Sequence, residues 1–493
     1  GLIQSAASFA PTQRLDFNTT YYWRVDEING SPDNTVIEGN IWSFTTEPLA
    51  YAIENITPTA SSSNSTDEGP EKTINGSGLD AEDLHSLDYV DMWLSSITGP
   101  QPTWIQYEFD RVYKMHQMSV WNHNSPFEPV FGLGIMDAAI EHSVDGTNWT
   151  TLGTTYEFTR APGAAGYDKN TTIDFGGVAA KYVKITPNSN WGGFVTQYGL
   201  SEVRFLYIPV QARESNPASG SADINVDNAT LIWRAGREAA GHDVYFSIDE
   251  QAVIDETISP VSVPVGGSYA AYDTGPLDLN QIYYWKVNEV NETESITTWY
   301  GDVWSFTTQE FLVVDDFESY NDLNEDESDS NRIYLTWLDG FDNPAINGSV
   351  VGYANPPFAE QIIVHSGYQS MPMSYDNAVG KSEATYVFTP SVDWTVKSVD
   401  TLTIWYMGDA ANAAETMYVV LNGTAGVDND IPDAAQATAW TEWNISLQTF
   451  VDQGVNMADI NSITLGLGNR NNPIAGGSGM MYFDDIRLYA PAP

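Results

Sequence analysis

Apolar and polar residues alternate with a period of two through most of the chain, as they do in half-buried β-strands. Examples are YYWRV at 21–25, ATLIWRA at 229–235 and LTIWYMG at 402–408. Clusters of Gly, Asn and Asp separate these runs, and no long stretch has the 3.6-residue period of an amphipathic helix. The pattern predicts an all-β protein built as a multi-domain β-sandwich array. Its 493 residues suffice for about 3 or 4 domains.

An internal repeat divides this array. The segment YYWRVDEIN (21–29) recurs as YYWKVNEVN (283–291), and WSFTT (42–46) recurs unchanged at 304–308. Both pairs have the same offset of 262 residues (283 − 21 and 304 − 42), so the two copies align without a gap. In each copy two aromatic-rich strands flank a polar turn, which predicts a β-hairpin.

Each copy resembles the last two strands of a fibronectin type III sandwich. In the second copy ATLIWRA (229–235) and HDVYFSI (242–248) supply earlier strands, which predicts a complete module at 209–309. The first copy, at 1–48, lacks them and predicts a partial module with an unpaired edge. We therefore expect the sequence to be a fragment of a longer chain. The alternative is a genuine N-terminus that another molecule's strand completes.

A different domain is predicted between the copies, at 50–208. SVDGTNW (143–149) indicates a tight Asp-Gly turn between two strands, and KYVKI with GLSEVRF closes the segment. These motifs resemble the discoidin family, the coagulation-factor C-type domain. The resemblance implies an eight-stranded jelly roll whose loops at one end bind sugars, lipids or proteins.

Sugar recognition needs an aromatic face and planar hydrogen-bonding groups, and three loops of this domain offer both. The predicted ligand-binding residues are Asn122, His123, Asn124, Arg160, Trp191 and Phe194. The neighbouring Trp121 is expected to point inward more readily than toward a ligand.

The segment 310–493 opens with LVVDDFESYND and ends with GMMYFDDIRLY. Its bookends and strand order resemble a carbohydrate-binding-module jelly roll. Trp405 alternates with Ile404 and Tyr406, so we expect it on the opposite sheet face, as a further ligand contact. Trp337, Tyr418 and Arg470 are weaker candidates for ligand contacts beside Trp405.

Two calcium sites are predicted, because calcium prefers hard oxygen ligands. The jelly-roll resemblance implies one at Asp316, Glu318 and Asp485, the first two sharing a strand face. The discoidin resemblance implies another at Asn75, Asp80 and Glu202. Asn75 stands where relatives have Asp, which removes a charge but keeps an oxygen donor. For both sites the alternative is that these side chains only face solvent or cap turns.

The charge balance limits the partners. With 19 Lys and Arg against 66 Asp and Glu, the net charge is −47, which repels nucleic acid and anionic membranes. No run of about 18 apolar residues predicts membrane insertion. The chain has no cysteine, so disulfides and thiolate chemistry are excluded. No signal peptide is visible at the start, and an extracellular location is predicted from the module types.

Catalytic motifs are missing from the sequence. The six histidines lack metal-ligand spacing, and neither a Gly-x-Ser-x-Gly elbow nor a P-loop occurs. The favoured hypothesis is therefore non-catalytic, calcium-stabilised binding of polysaccharide or glycan, alongside a catalytic domain upstream in a longer chain. One alternative is a structural or adhesive surface protein with sandwiches as spacers. Another is an enzyme whose site lies on the last domain.

Overall fold

The computed structural model describes residues 3–13, 15–30, 32–227 and 229–491. Strands make up 43% of the chain and helices 7%, which confirms the predicted all-β class of multiple sandwich-like sheets. The chain divides into two compact units. The first is Gly1–Arg213 with Ala235–Gly241 and Asn288–Tyr300; the second is Glu214–Arg234 with His242–Val287 and Gly301–Pro493.

The N-terminal region of the first unit contains two small ribbons. Its strands are β1 (Thr20–Arg24), β2 (Glu27–Ile28), β3 (Val36–Ile37) and β4 (Ile41–Thr45). β1 pairs antiparallel with β4, and β2 with β3. The aromatic residues of β1 and β4 stay largely exposed, Trp23 by 50% and Phe44 by 46%.

The following sheet has nine strands. They and the short helix beside them are β5 (Tyr51–Ala52), β6 (Ile56–Ala60), β7 (Trp93–Leu94), β8 (Ile105–Asn122), α1 (Glu128–Phe131), β9 (Ile135–Ser143), β10 (Thr150–Glu157), β11 (Thr171–Asp174), β12 (Ala179–Asn190) and β13 (Gly199–Ile208). 3-10 turns lie at Pro70–Thr73 and Tyr89–Asp91. The order is β10-β9-β12-β8-β13-β5, with β6 and β11 also on β8 and β7 on β13.

Strand β8 joins the two layers of this sheet. Its first part pairs with β6 and β12, and its second part with β11 and β13. Between the layers lie fully buried rings such as Tyr107, Phe109 and Phe205. Strand β12 ends at Asn190 and β8 at Asn122, and both lead into the loops beside α1.

The Asp-Gly turn between β9 and β10 forms as the sequence indicates. Asp145 Oδ1 accepts the N–H groups of Thr147 (2.8 Å) and Asn148 (2.7 Å), and Gly146 has φ +74°. These hydrogen bonds hold the pKa of Asp145 below its usual range. Trp149 caps the turn by donating from Nε1 to the Gly146 carbonyl (3.2 Å).

Two further sheets occupy 213–308. Their elements are β14 (Arg213–Asn216), β15 (Ser221–Ile224), β16 (Thr230–Arg234), β17 (Gly241–Ser247), α2 (Glu250–Ile254), β18 (Val261–Pro264), β19 (Tyr269–Asp273), β20 (Ile282–Val290), β21 (Thr298–Trp299) and β22 (Val303–Thr308). One sheet has the order β14-β16-β19 and the other β15-β22-β20-β17-β18, with β21 on β20. Trp233 of the first meets Trp285 of the second with ring centroids 6.2 Å apart, and both are fully buried.

The C-terminal segment is again a pair of sheets. Its elements are β23 (Phe311–Asp315), α3 (Ile333–Thr336), β24 (Trp337–Leu338), β25 (Ser349–Val351), β26 (Met371–Asp376), β27 (Lys381–Val392), β28 (Thr401–Met407), β29 (Met417–Leu421), β30 (Ala425–Asp428), β31 (Thr441–Ser446), α4 (Gln448–Val451), β32 (Ile460–Gly468) and β33 (Ser478–Tyr489). One sheet has the order β25-β26-β33-β28-β31 with β23 on β33, and the other β24-β27-β32-β29-β30. The strands β23 and β33, at the two ends of this segment, pair with each other.

Each sheet lies inside one of the four ranges predicted from the sequence, namely 1–48, 50–208, 209–309 and 310–493. The domain boundaries themselves stay a prediction.

Candidate functional site

The helix α1 lies between two loops at one end of the nine-stranded sheet. On one side Arg160 donates to the backbone carbonyl of Glu128. On the other side Gly192 donates its N–H to the carbonyl of Gly132 (2.8 Å), and Trp191 donates its backbone N–H to Gly134 (3.2 Å). A Cβ at position 192 would lie 1.9 Å from the Phe131 carbonyl oxygen, so this contact needs a glycine. The geometry brings loops 158–163 and 190–194 together around α1.

Asn122 and Asn124 lie beneath this loop end rather than at its surface. Both are 0% exposed. Asn122 Nδ2 donates to the carbonyls of Ile135 (2.7 Å) and Thr159 (2.9 Å), and Asn124 Nδ2 donates to those of Ser86 (3.1 Å) and Ala164 (2.8 Å). The expectation that these amides point toward a ligand is therefore corrected. They satisfy loop carbonyls that burial would otherwise leave unpaired.

His123 belongs to the same buried layer and is 2% exposed. Its Nδ1 lies 3.2 Å from Glu128 Oε2, and that carboxylate also accepts the N–H groups of Leu133 and Gly134. A Cβ at Gly199 would meet the imidazole at 2.5 Å, so the ring packs directly on the backbone of β13. Glu128 organises the loop end, and nothing in the sequence singles it out, because a lone acidic residue among apolar neighbours belongs to no motif.

The surface of the loop end is aromatic. Phe194 is 62% exposed, while Trp191 is half-buried and donates from Nε1 to the Phe158 carbonyl (3.0 Å). The structure adds Phe127 and Phe131, exposed by 63% and 45% with ring centroids 6.0 Å apart. Their signal in the sequence was the loop SPFEPVFG, where Phe127 lies between two prolines and Phe131 follows the second proline, outside any strand. Of the six predicted contacts, Arg160, Trp191 and Phe194 thus reach the surface.

Trp121 is a core residue, as the sequence analysis favoured. It is fully buried, and its Nε1 donates to the Asp83 carbonyl (3.0 Å).

The predicted calcium residues of this domain lie on the loop 74–85 and on β13. Glu202 is 5% exposed, and among the described residues its carboxylate accepts one long hydrogen bond, from the Gly76 N–H to Oε2 (3.3 Å). Burial raises the pKa of Glu202 to about 8, although the Gly76 N–H and Arg204 oppose this shift. A buried carboxylate with so few donors fits a nearby cation.

Asn75 and Asp80 are exposed and use one oxygen each to fix turns. Asn75 Oδ1 accepts the Ser77 N–H (2.9 Å), and Asp80 Oδ1 accepts the N–H groups of Glu82 (3.0 Å) and Leu84 (2.9 Å). Their part in metal binding stays a prediction.

In the C-terminal segment the predicted calcium set has a different arrangement. β23 ends at Asp315, and residues 316–318 form a turn in which Phe317 has φ +61°. Asp316 and Glu318 therefore do not share a strand face, and the expected alternation is corrected. Asp315 causes the turn by accepting the Phe317 N–H (2.9 Å), and it also binds Tyr320 Oη (2.6 Å) and Trp337 Nε1 (2.8 Å).

Asp485 is fully buried and already paired. Oδ2 lies 2.5 Å from His365 Nδ1, and Oδ1 accepts from Ser366 Oγ (3.0 Å) and the Arg487 guanidinium. Glu318 Oε1 instead accepts two backbone N–H groups, from Tyr368 (2.7 Å) and Gln369 (2.9 Å). Asp485 is thus already paired with a guanidinium, and the described structure does not bring Asp316, Glu318 and Asp485 together as one group of ligands. Among the described residues, no three or more His, Asp or Glu side chains group as metal ligands.

Trp405 takes the sheet face that alternation predicts. Ile404 and Tyr406 are fully buried, and Trp405 is half-buried on the opposite face. The His365 imidazole covers it, with centroids 3.7 Å apart and planes 17° apart. One face of the indole is therefore already occupied. Trp337 and Tyr418 are buried, and Arg470 lies 3.3 Å from Glu383.

Comparison with known proteins finds a family match for one part of the chain. Residues 57–199 match the family described as "F5/8 type C domain". This confirms the discoidin resemblance for that segment, which is less than half of the chain. Such domains are binding modules. No curated protein matches the chain.

Several solved structures are similar to part of the chain. CpGH89CBM32-5 from Clostridium perfringens, in complex with GalNAc-beta-1,3-galactose, is 17% identical with a TM-score of 0.25, covering 31% of this chain and 99% of its own. The family 32 CBM of C. perfringens NanJ, in complex with galactose, is 16% identical with a TM-score of 0.24, covering 32% and 99%. An F5/8 type C domain from Bacteroides fragilis is 15% identical with a TM-score of 0.25, covering 32% and 97%.

No helix within the described ranges is long and apolar enough to cross a membrane.

Proposed function

We propose that this protein binds carbohydrate outside the cell, without catalysis, through the loop end of its discoidin-type domain. The observation that carries the proposal is the aromatic surface at α1 and loop 190–194, lying over a buried polar layer. Phe194 and Trp191 offer apolar faces, and the half-buried Arg160 offers the guanidinium N–H groups that are not used by the Glu128 carbonyl. This combination matches the apolar face and the hydroxyls of a pyranose ring.

The buried layer explains how such a site stays in shape. Glu128 accepts from two backbone N–H groups and lies beside His123, while Asn122 and Asn124 join the loops to the strands. Loops held by satisfied buried polar groups lose little conformational entropy when a ligand binds. Asn122, His123 and Asn124 therefore act in this proposal as positioning residues.

Binding to a panel of galactose, N-acetylgalactosamine and soluble polysaccharides tests the proposal by isothermal titration calorimetry. Phe194→Ala and Arg160→Ala are each expected to weaken binding about tenfold or more, since one ring or one charge-assisted contact is worth roughly 1–3 kcal/mol. Val144→Ala, at a residue 48% exposed beside the turn between β9 and β10, is the control and should bind normally. No binding by the unaltered chain would contradict the proposal and favour the structural or adhesive alternative.

We also propose that calcium stabilises this domain at Glu202, with carbonyls of the loop 74–85 as further ligands. Without a cation, burial favours the protonated carboxyl. The folded pKa of about 8 exceeds the ordinary 4.5, so stability should fall as pH rises from about 4.5 to about 8. Bound calcium should remove this loss of stability, because its positive charge stabilises the ionised carboxylate of Glu202.

Thermal melting with calcium and with chelator tests this second proposal. Calcium at 100 times its dissociation constant should add about 2.7 kcal/mol, or roughly 5–10 °C. Glu202→Gln should abolish both the calcium response and the pH dependence, whereas Glu82→Gln, at an exposed position of the same loop, should keep both. An unaltered melting temperature on adding chelator would overturn the calcium claim.

A further inference from the structure

In the C-terminal segment, two fully buried aspartates fix the position of one histidine. Asp484 Oδ2 accepts the backbone N–H groups of His365 (2.8 Å) and Ser366 (3.3 Å). Asp485, the next residue on β33, holds the His365 ring through Nδ1 at 2.5 Å and the Ser366 hydroxyl at 3.0 Å. Both the backbone and the imidazole of His365 are thus set by side chains that are 0% exposed.

The carboxylates have little capacity left for a ligand of their own. Asp484 Oδ1 accepts the Asp485 N–H (2.8 Å), and Asp485 Oδ1 also binds the Arg487 guanidinium. Arg487 therefore offsets the charge of Asp485, and a cationic ligand would find its oxygens occupied. An anionic ligand would face these carboxylates and a net charge of −47, so the chemistry favours an uncharged ligand.

The outward part of the cluster is His365 with two indoles. Its imidazole stacks on Trp405, and the Trp440 ring stands edge-on to it at 5.8 Å and 65°. The His365 side chain is 22% exposed, and its Nε2 has no hydrogen-bond partner within the described part of the chain. With the proton on Nδ1, next to Asp485, Nε2 is a lone-pair acceptor in the neutral ring.

We propose that His365 and Trp440 form a second carbohydrate site, separate from the loop end of the discoidin-type domain. Nε2 accepts a hydrogen bond from a sugar hydroxyl, and the Trp440 indole contacts the apolar side of the ring. Trp405 is a positioning residue that supports the imidazole from below. The site takes a neutral pyranose, as part of a polysaccharide or as a free sugar.

The full chain carrying Arg160→Ala and Phe194→Ala provides the test, because the first site is then removed. The probes are the same sugars and polysaccharides, measured by calorimetry. This double variant should still bind one ligand per chain. Adding Trp440→Ala or His365→Ala should weaken that binding about tenfold or more. Phe341→Ala, at an aromatic residue of the same segment that is 72% exposed, is the matched control and should have no effect.

Two conservative variants of His365 distinguish a direct hydrogen bond to the ligand from a role in positioning other residues. His365→Gln places an amide near the Nε2 position and should keep part of the binding. His365→Asn places its amide near Nδ1, where it can still meet Asp485, and should bind as weakly as His365→Ala. If a histidine variant fails to fold, Trp440→Ala with an unchanged melting temperature decides the matter.

The outcomes distinguish this inference from the proposed function. Loss of all binding in the Arg160→Ala, Phe194→Ala background, while the unaltered chain binds, would overturn only the second site. Residual binding that is insensitive to both His365→Ala and Trp440→Ala would overturn it as well. No binding by the unaltered chain would overturn both proposals together.

Discussion

The two copies of the aromatic hairpin have nearly the same residues and the same register but opposite surroundings. Trp23 pairs with Trp42 as Trp285 pairs with Trp304. The ring centroids are 4.7 Å apart in the first copy and 4.6 Å in the second. Trp23 is nevertheless 50% exposed, whereas Trp285 is fully buried.

The difference comes from what faces each hairpin. In the second copy Trp233 of β16 lies 6.2 Å from Trp285, and Phe246 of β17 stacks on Tyr283 at 5.1 Å. Among the described residues of the first copy, no strand corresponds to β16 or β17. Local sequence therefore sets hairpin geometry, while burial depends on strands distant in the chain.

The largest effect should come from removing the paired tryptophans. Trp285→Ala should destabilise its module by about 3–5 kcal/mol, the usual result of emptying a core site, while Trp23→Ala should cost less than about 1 kcal/mol. Hydrogen exchange of peptides covering 282–308 and 20–45 measures each region separately, which a multi-domain chain requires. Equal losses in both regions would show that the first hairpin is covered in solution.

A smaller loss of stability, similar in both copies, is expected from substituting the glycine that precedes the second strand of each hairpin. A Cβ at Gly39 would lie 2.0 Å from the Val25 carbonyl oxygen, and one at Gly301 would lie 2.2 Å from that of Val287. Gly39→Ala and Gly301→Ala should each weaken their hairpins by about 1–3 kcal/mol, since the backbone must shift. Amide exchange near each substitution is the measurement.

Gly30→Ala is the control for this pair, because a Cβ there has nothing within 4 Å. A Gly39→Ala variant as well tolerated as Gly30→Ala would mean that the first hairpin does not hold the described geometry.

The smallest expected effect is a pH dependence that the first hairpin should have and the second should lack. Asp26 Oδ1 accepts the Gly39 N–H (3.1 Å), and this bond, together with Arg24, holds the pKa of Asp26 below its usual 3.8. A carboxyl group whose pKa is lowered by folding stabilises the folded state at pH values above its unfolded-state pKa. This contribution to stability is lost as the pH falls through the folded-state pKa. The first hairpin should therefore loosen in acid, whereas the second, with Asn288 at the matching position, should not lose stability through this residue.

The Gly39 amide chemical shift, followed by NMR from neutral pH downward, measures that transition. Asp26→Asn should remove it. A midpoint at or above 3.8 would contradict the proposed bond.

The aromatic loop end shows the same division between local pattern and distant contacts. The sequence predicts Arg160, Trp191 and Phe194 as ligand contacts; the structure has them at the surface, and their role in binding stays a prediction. The sequence misplaced Asn122 and Asn124, whose partners Ile135, Thr159, Ser86 and Ala164 lie in separate segments. Residue type alone does not distinguish an amide that binds a ligand from one that joins two loops.

By itself the sequence determined the all-β class and the repeated hairpin, because period-two alternation and turn residues act over a few positions. The motifs SVDGTNW and GLSEVRF carried the resemblance to the discoidin family. Only the tertiary structure decided which side of each hairpin is buried and which carboxylates are already paired. The sequence predicted Asp485 as a calcium ligand, but His365, which is 120 residues away in the chain, and Arg487, two residues further along β33, are already paired with it. Burial and charge pairing depend on contacts between distant residues, and local patterns do not encode those contacts.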